Sequence, residues 1–256
     1  MAMEIESLFL FNSPLLSFTL MFSIIYSLGY FLLLKKWGSS RYEASSCFIS
    51  LFHGTPAVIL AISSLIKSPQ NNNFFHLDFA AQNTSFQDLV LEFSIGYFII
   101  DVLHYMIFIP KDVLFIAHHL ATLYVLATCR YIVHHGAVSI LGLLVLAEIT
   151  SPCQNTWSLA RYRKVDLPEA ARYYEFLSPY FFTFYSAVRG ILGPLYVLKM
   201  GAVFASGAAD GGLIPKWAWI SWMIVIVVAI WVSILWVLNL WIDLSRRRAN
   251  LFKKVS

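Results

Sequence analysis

Seven stretches of about 20 mostly apolar residues constrain this chain more than any other feature; they lie at 15–34, 47–66, 89–109, 113–132, 137–157, 177–197 and 217–241. A helix of that length rises about 30 Å, the thickness of the hydrocarbon core of a bilayer. The longest connections, 67–88 and 198–216, are rich in Asn and in Gly and Ala respectively, and read as irregular loops. Only 12% of the 256 residues are charged, against 59% that are apolar. A soluble domain carries about 25% charge, so these few charges cannot cover a water-soluble globule of this size. The expected fold is an all-α polytopic membrane bundle of about seven transmembrane helices. The first run is too long for the apolar region of a signal peptide, and no basic segment precedes it. It reads as a retained span. The expected organisation is 1–40 for the N-terminus and first span, 41–241 for the main transmembrane domain and 242–256 for a basic tail.

Lysine and arginine favour the cytosolic side of a membrane. The N-terminal tail holds Glu4 and Glu6 and no basic residue, and the first loop holds Lys35, Lys36 and Arg41. The second has Lys67 beside Asp78 and Asp88, and the loop after the fifth span has Arg161, Arg163, Lys164 and Arg172. Lys199 and Lys216 follow the sixth span; Arg246, Arg247, Arg248, Lys253 and Lys254 follow the seventh. The alternation places the N-terminus in the lumen and the C-terminus in the cytosol. Asn83-Thr84-Ser85 is a glycosylation sequon in a lumenal loop of that topology. Lys253 and Lys254, third and fourth from the last position, form a dilysine signal of the kind coat proteins read to return cargo to the endoplasmic reticulum. That membrane is the expected location. Cys47, Cys129 and Cys153 have no disulfide or zinc spacing. The basic residues form no stripe among aromatics, so no nucleic acid is expected.

An ionisable side chain in hydrocarbon costs a few kcal/mol, and is by default a functional hypothesis. Here these are His53, Asp101, His104, His118, His119, Glu148 and Arg189. By helix rise, His53, Asp101, His118, His119 and Glu148 lie about 8–13 Å from the cytosolic ends of their spans, in one layer; Arg189 lies about 18 Å in. Asp101 and His104 share a helix face with Tyr97 and Tyr105. His118 and His119 point about 100° apart, so one can line a cavity while the other meets a neighbouring helix. Thr122 lies within a turn of both. His104 or His118 is the expected partner of Asp101, and Arg189 that of Glu148. Pro152 interrupts the fifth span just past Glu148, and a carbonyl freed by proline is tolerated only beside protein or a wet cavity. A purely structural layer, with polar groups joining helices, is the alternative. His76, His134 and His135 read as solvated loop residues.

These residues resemble the TLC family, named for the TRAM, LAG and CLN homology domain. The matching text is Gly96-Tyr97-Phe98-Ile99-Ile100-Asp101, then His118-His119-Leu120-Ala121-Thr122. It continues with Leu146-Ala147-Glu148-Ile149-Thr150-Ser151-Pro152, Asn155 and Trp157, and ends at Val188-Arg189. The stretch from Arg41 to His53 is similar to the early part of the family's pattern. The family's ceramide synthases acylate a sphingoid base from fatty acyl-CoA. Their paired histidines are followed by a His-Asp pair and a second Asp on the next span. His118 and His119 stand at the paired histidines, but Glu148 is the only carboxylate of the fifth span here. That pattern resembles a divergent branch linked to phospholipid composition and lipid homeostasis.

Two functions follow as expectations. In the first, the protein binds lipid or acyl chains in a cavity lined by His53, Tyr97, His104, Thr122, Glu148, Asn155 and Arg189, and influences membrane lipid composition. In the second it is an acyl-CoA-dependent N-acyltransferase. There His118 or His119 takes the acyl group or acts as base, Asp101 or Glu148 orients the imidazole, and Arg161–Lys164 attract the CoA phosphates. Membrane lipids, fatty acyl-CoA as substrate, and coat proteins at the dilysine tail are the expected partners; no cofactor is expected. A metal site is not expected, because membrane di-iron enzymes need more clustered histidines than these. No inverted repeat suggests a transporter.

Overall fold

The structure, a computed structural model, describes residues 13–67, 78–208 and 213–255, with the backbone alone for 247–255. The N-terminal tail with Glu4 and Glu6, the Asn-rich stretch with His76, and the side chains of Lys253 and Lys254 lie outside the described residues. The described helices are α1 (Pro14–Leu28), α2 (Arg41–Ile66), α3 (Ser85–Phe108), α4 (Val113–Thr128), α5 (Ala137–Glu148), α6 (Ser151–Arg163), α7 (Pro168–Ala187), α8 (Gly193–Val203) and α9 (Lys216–Val255). They make seven stretches long and apolar enough to cross a membrane, with α5–α6 in one crossing and α7–α8 in another.

Local chemistry sets the helix starts. Pro14 and Pro168 open α1 and α7, and Pro152 sits in the first turn of α6, where a missing N–H is harmless. Thr84 caps α3 in a reciprocal box: its hydroxyl accepts from Gln87 N (3.2 Å), and Gln87 Oε1 accepts from Thr84 N (2.9 Å). Asp112 caps α4 by accepting from Phe115 N at 3.2 Å. Four π-helical turns, Gly29–Leu33, Cys129–Val133, Val188–Leu192 and Phe204–Ala208, follow α1, α4, α7 and α8. Each wider turn re-aims the side chains beyond it, and one of them carries Arg189.

Two expectations about boundaries change. The chain from 198 is not an irregular loop at first: α8 and the π turn after it carry the helix on until Gly207 breaks it with a positive φ of 87°, and Met200 and Phe204 are buried against the core. Residues 161–163 are likewise helical, since α6 restarts after Pro152 and runs to Arg163. The helix α9 passes residue 241 without a break.

The core has two parts. The larger includes Phe22, Ile49, Leu91, Leu126, Leu141 and Trp222. The smaller is aromatic, with Trp157, Tyr174, Phe181, Phe182 and Tyr185 from α6 and α7, and Val237, Leu240 and Leu244 of α9 against it. The central span is α3, with 72% of its most apolar stretch buried; the corresponding share for α1 and α9 is 17%, so those two stand at the periphery. At Gly96 an added Cβ would lie 3.0 Å from Thr19 N, so glycine permits the close crossing of α1 and α3.

Candidate functional site

The two core clusters do not fuse, and a cavity of about 430 Å³ lies where they part. Tyr97 and Phe98 of α3 line it on one side, and Trp157, Phe181 and Tyr185 on the other. Its lining mixes polar and apolar surface in similar measure, the polar part including Ser50, His118, His119, Glu148, Asn155 and Arg189. Asp112, Arg161 and Asp243 line it where α4 begins, α6 ends and α9 leaves the bundle. A smaller, apolar chamber of about 110 Å³ continues from it between α4, α5 and α9, lined by Val125, Leu144, Ile226 and Ile230 among others, and by Thr122. Phe98, His118, Glu148 and Arg189 border both spaces, so the polar and apolar volumes meet at these four side chains.

The two adjacent histidines have different environments. His119 is buried, and its Nε2 lies 3.0 Å from Asp101 Oδ2. Its Nδ1 lies 3.0 Å from the Phe115 carbonyl, which can only accept, so Nδ1 carries a proton. A single further proton is then shared between Nε2 and the carboxylate. Tyr97 donates to the same carboxylate oxygen at 3.2 Å. The ring stacks on Phe115 with centroids 4.0 Å apart. Both nitrogens of His119 are therefore engaged, and the ring is clamped. His118, one residue earlier, faces the cavity, and its buried Nδ1 has no hydrogen-bond partner among the described residues. Of the pair, His118 is the one with nitrogen free for a ligand.

Glu148 ends α5 and is buried. The His53 Nδ1 lies 3.8 Å from its Oε2, and Gly54 leaves the room it occupies: a Cβ there would sit 3.2 Å from that oxygen. His53 itself is fully buried, stacked on Tyr97 with centroids 4.0 Å apart, and its Nε2 lies 3.1 Å from Ser94 Oγ. The Arg189 Nη2 donates to the Ala147 carbonyl, and its Nε is buried with no hydrogen-bond partner among the described residues. Asn155 donates to Ser50 Oγ at 2.8 Å.

Several expected residues converge and others do not. His118, His119, Tyr97, Glu148, Asn155 and Arg189 share the cavity, and Thr122 lines the adjoining chamber. Asp101 and His53 stand directly behind them. His104 lies elsewhere: Tyr26 Oη is 2.8 Å from its Nδ1, and the Tyr42 carbonyl 2.9 Å from its Nε2. Three residues advance a helix by about 300°, which leaves about 60° between Asp101 and His104, and the imidazole turns toward α1 and α2. The partner of Asp101 is thus His119, not His104 or His118. The contact of Glu148 is His53; Arg189 bonds a backbone carbonyl next to it, so charge-reversal rescue between Arg189 and Glu148 is not expected.

Asn83 is built into the fold. Its Nδ2 donates to Asp88 Oδ1 and to the Cys129 carbonyl, both at 3.1 Å, and its Oδ1 accepts from Ala137 N at 2.9 Å. A glycan on Nδ2 would take the place of at least one of those donors. Next to it Arg130 joins Asp88 (3.4 Å) and Glu92 (2.8 Å) in a clamp between α3 and the end of α4 that was not expected. Reading for ionisable residues alone also missed, Asn155 apart, the polar wall of the cavity. Ser151, Gln154, Asn155, Ser158 and Tyr162 recur every three or four residues on α6, and Trp236, Asn239, Leu240 and Asp243 do so on α9. Helical periodicity of polar residues is the signal that reveals both.

Comparison with known proteins agrees with this architecture. A TLC domain family model matches residues 43–242. A TLC domain-containing protein of Arabidopsis thaliana is 54% identical over 235 residues, which cover 90% of this chain and 89% of that one. No solved structure matches the chain. With most of its length matched by the family model, and a relative this similar from end to end, the chain belongs to the TLC domain family.

Proposed function

We propose that this membrane protein binds a lipid or acyl chain in the cavity and thereby influences the lipid composition of its membrane, that of the endoplasmic reticulum. The observation that carries the reading is the junction of a polar and an apolar space at His118, Glu148 and Arg189. An amphiphile has the same division: its chain suits the apolar chamber and its head the polar cavity. Arg189 Nε, Glu148 Oε2 and His118 Nδ1 are buried without hydrogen-bond partners among the described residues. Unmade hydrogen bonds of buried groups cost about 1–3 kcal/mol each, which a bound head group recovers. The membrane orientation proposed from the loop charges places the N-terminus in the lumen and the C-terminus in the cytosol, and so puts the polar cavity toward the cytosol. The test is mass spectrometry of the purified protein for retained lipid. A stoichiometric lipid that is lost in Arg189→Ala and His118→Ala supports the reading, and a wild-type protein that retains and rebinds no lipid overturns it.

A second reading, acyl transfer from fatty acyl-CoA, is favoured by one observation: His118 has a free nitrogen at the junction while His119 is fixed. In that reading His118 attacks the thioester or takes the acceptor's proton, Asp101 acts only through His119, and Arg161 at the mouth meets the CoA phosphates. Incubation with acyl-CoA followed by peptide mapping separates the two readings. An acyl adduct on His118, or an acylated amine product, makes the protein an enzyme; neither leaves it a lipid-binding protein.

A further inference from the structure

The helices α4 and α9 are hydrogen-bonded to each other at one end only, among the described residues. There the Tyr124 and Ser221 hydroxyls are 2.8 Å apart, and Trp222 Nε1 donates to Thr128 Oγ1 at 2.8 Å. Toward its other end α9 is held by α7 instead. Trp241 Nε1 donates to Ser186 Oγ at 2.9 Å, and Val237, Leu240 and Leu244 pack on the smaller core. Between these anchorages a stripe of each helix lines the two cavities. Leu114, His118 and Ala121 form the stripe on α4, and Ala229, Ser233, Trp236 and Asn239 the stripe on α9. The spacing of three, four and seven residues is that of one helix face.

This seam is exposed at the end where α4 begins. Leu114 lines the larger cavity and is still 60% exposed, and Asn239 and Asp243, which also line it, are exposed. A gap between two membrane-spanning helices opens onto lipid. The seam narrows at Trp236, whose ring meets that of His118 edge-on with centroids 6.1 Å apart. Its outer end is charged: Asp112, Asp243 and Arg161 line it. One oxygen of Asp112 caps α4, which leaves the other for a ligand. Two carboxylates and one guanidinium match a head group with both an ammonium and a phosphate. A head with only negative charge meets two carboxylates against one cation, and like charges at close range are disfavoured.

We propose that the seam between α4 and α9 is a lateral portal. Through it a zwitterionic bilayer lipid enters chain first past Trp236, and its head group is received on Asp112, Arg161 and Asp243 at the mouth before it reaches His118, Glu148 and Arg189. The proposal builds on the lipid-binding reading and adds the route and the head-group class.

The test uses the full chain in phosphatidylcholine vesicles that contain a small fraction of phosphatidylcholine with a photoreactive group on its chain. Adducts are mapped by mass spectrometry. Ser233 is only 2% exposed, so bulk lipid around the bundle does not reach it. Adducts on Ser233 and Ala121 are expected, and should be about tenfold fewer with phosphatidylglycerol of the same chain, a difference of about 1.4 kcal/mol. Asp243→Lys, a change on an exposed position, should remove that preference. Labelling confined to the lipid-facing surface overturns the portal, and a head-group preference unchanged by Asp243→Lys overturns the rim assignment. A fluorescent fatty acid titrated into the detergent-solubilised wild-type protein keeps the two ideas apart. Binding of that probe without labels in the seam refutes the portal and leaves the lipid-binding reading standing; neither signal removes both.

Discussion

The pair formed by Asp101 and His119 should be one energetic unit, and a double-mutant cycle measures this. Asp101 is fully buried and its partner nearly so, with 3.0 Å between Oδ2 and Nε2. Asp101→Asn keeps the shape and removes the charge. The loss is that of hydrogen bonds to a charged group, about 1.5–3 kcal/mol. His119→Gln removes the cation and leaves a buried carboxylate with the Tyr97 hydroxyl, 3.2 Å away, as its remaining donor. Breaking a buried pair in that direction costs about 3–5 kcal/mol, and the stack on Phe115 is lost as well. In the double variant no charge is left to strand, and its two amides can bond each other. Its cost should fall short of the sum of the single costs by about 1.5–3 kcal/mol, the worth of the charged hydrogen bonds counted twice in that sum. The assay is unfolding of the purified protein in mixed micelles titrated with a denaturing detergent. Single costs that add to within about 0.5 kcal/mol would refute the coupling.

Four further outcomes are expected. His118→Ala should leave expression and thermal unfolding near those of the wild type while bound lipid falls, since its Nδ1 makes no hydrogen bond among the described residues; equal losses of stability and lipid would make it structural. Asn83→Ala breaks three hydrogen bonds and should cost about 2–4 kcal/mol, and glycosidase treatment should leave the wild-type mass unchanged if those bonds hold in the membrane. Protease protection of tagged termini in intact microsomes should find the N-terminus shielded and the C-terminus cut, because the basic loops mark the cytosolic side; both ends on one side would remove the seven-span topology. Lys253→Ser with Lys254→Ser should let the protein escape toward the Golgi, and an unchanged location under the microscope would make those lysines simple flanking charges.

Hydropathy carried the architecture. A bilayer demands about 20 apolar residues and a closed backbone hydrogen-bond set from every span, so the seven crossings were legible before any packing was known. The family pattern in Gly96-Tyr97-Phe98, His118-His119 and Leu146-Ala147-Glu148 marked the centre of the cavity for the same reason: a polar side chain in hydrocarbon stands out in one dimension. The capping box of Thr84 and Gln87, and the polar periodicity of α6 and α9, were also on the page of the sequence.

Partner choice was decided only in three dimensions. Helix rise ranks residues by depth, but it does not fix the rotation of one helix against the next. His119 rather than His104 therefore meets Asp101, and the guanidinium of Arg189, carried by a π-helical turn, bonds the Ala147 carbonyl instead of forming the expected pair with Glu148. Adjacent histidines that look equivalent in the sequence differ because a 100° step turns one toward α3 and the other into the cavity. The cavity itself is a property of packing: the larger core and the aromatic cluster of α6 and α7 stay separate, and α9 crosses from one to the other. The space left between α4 and α9 depends on that crossing, which arises from contacts among residues far apart in the chain.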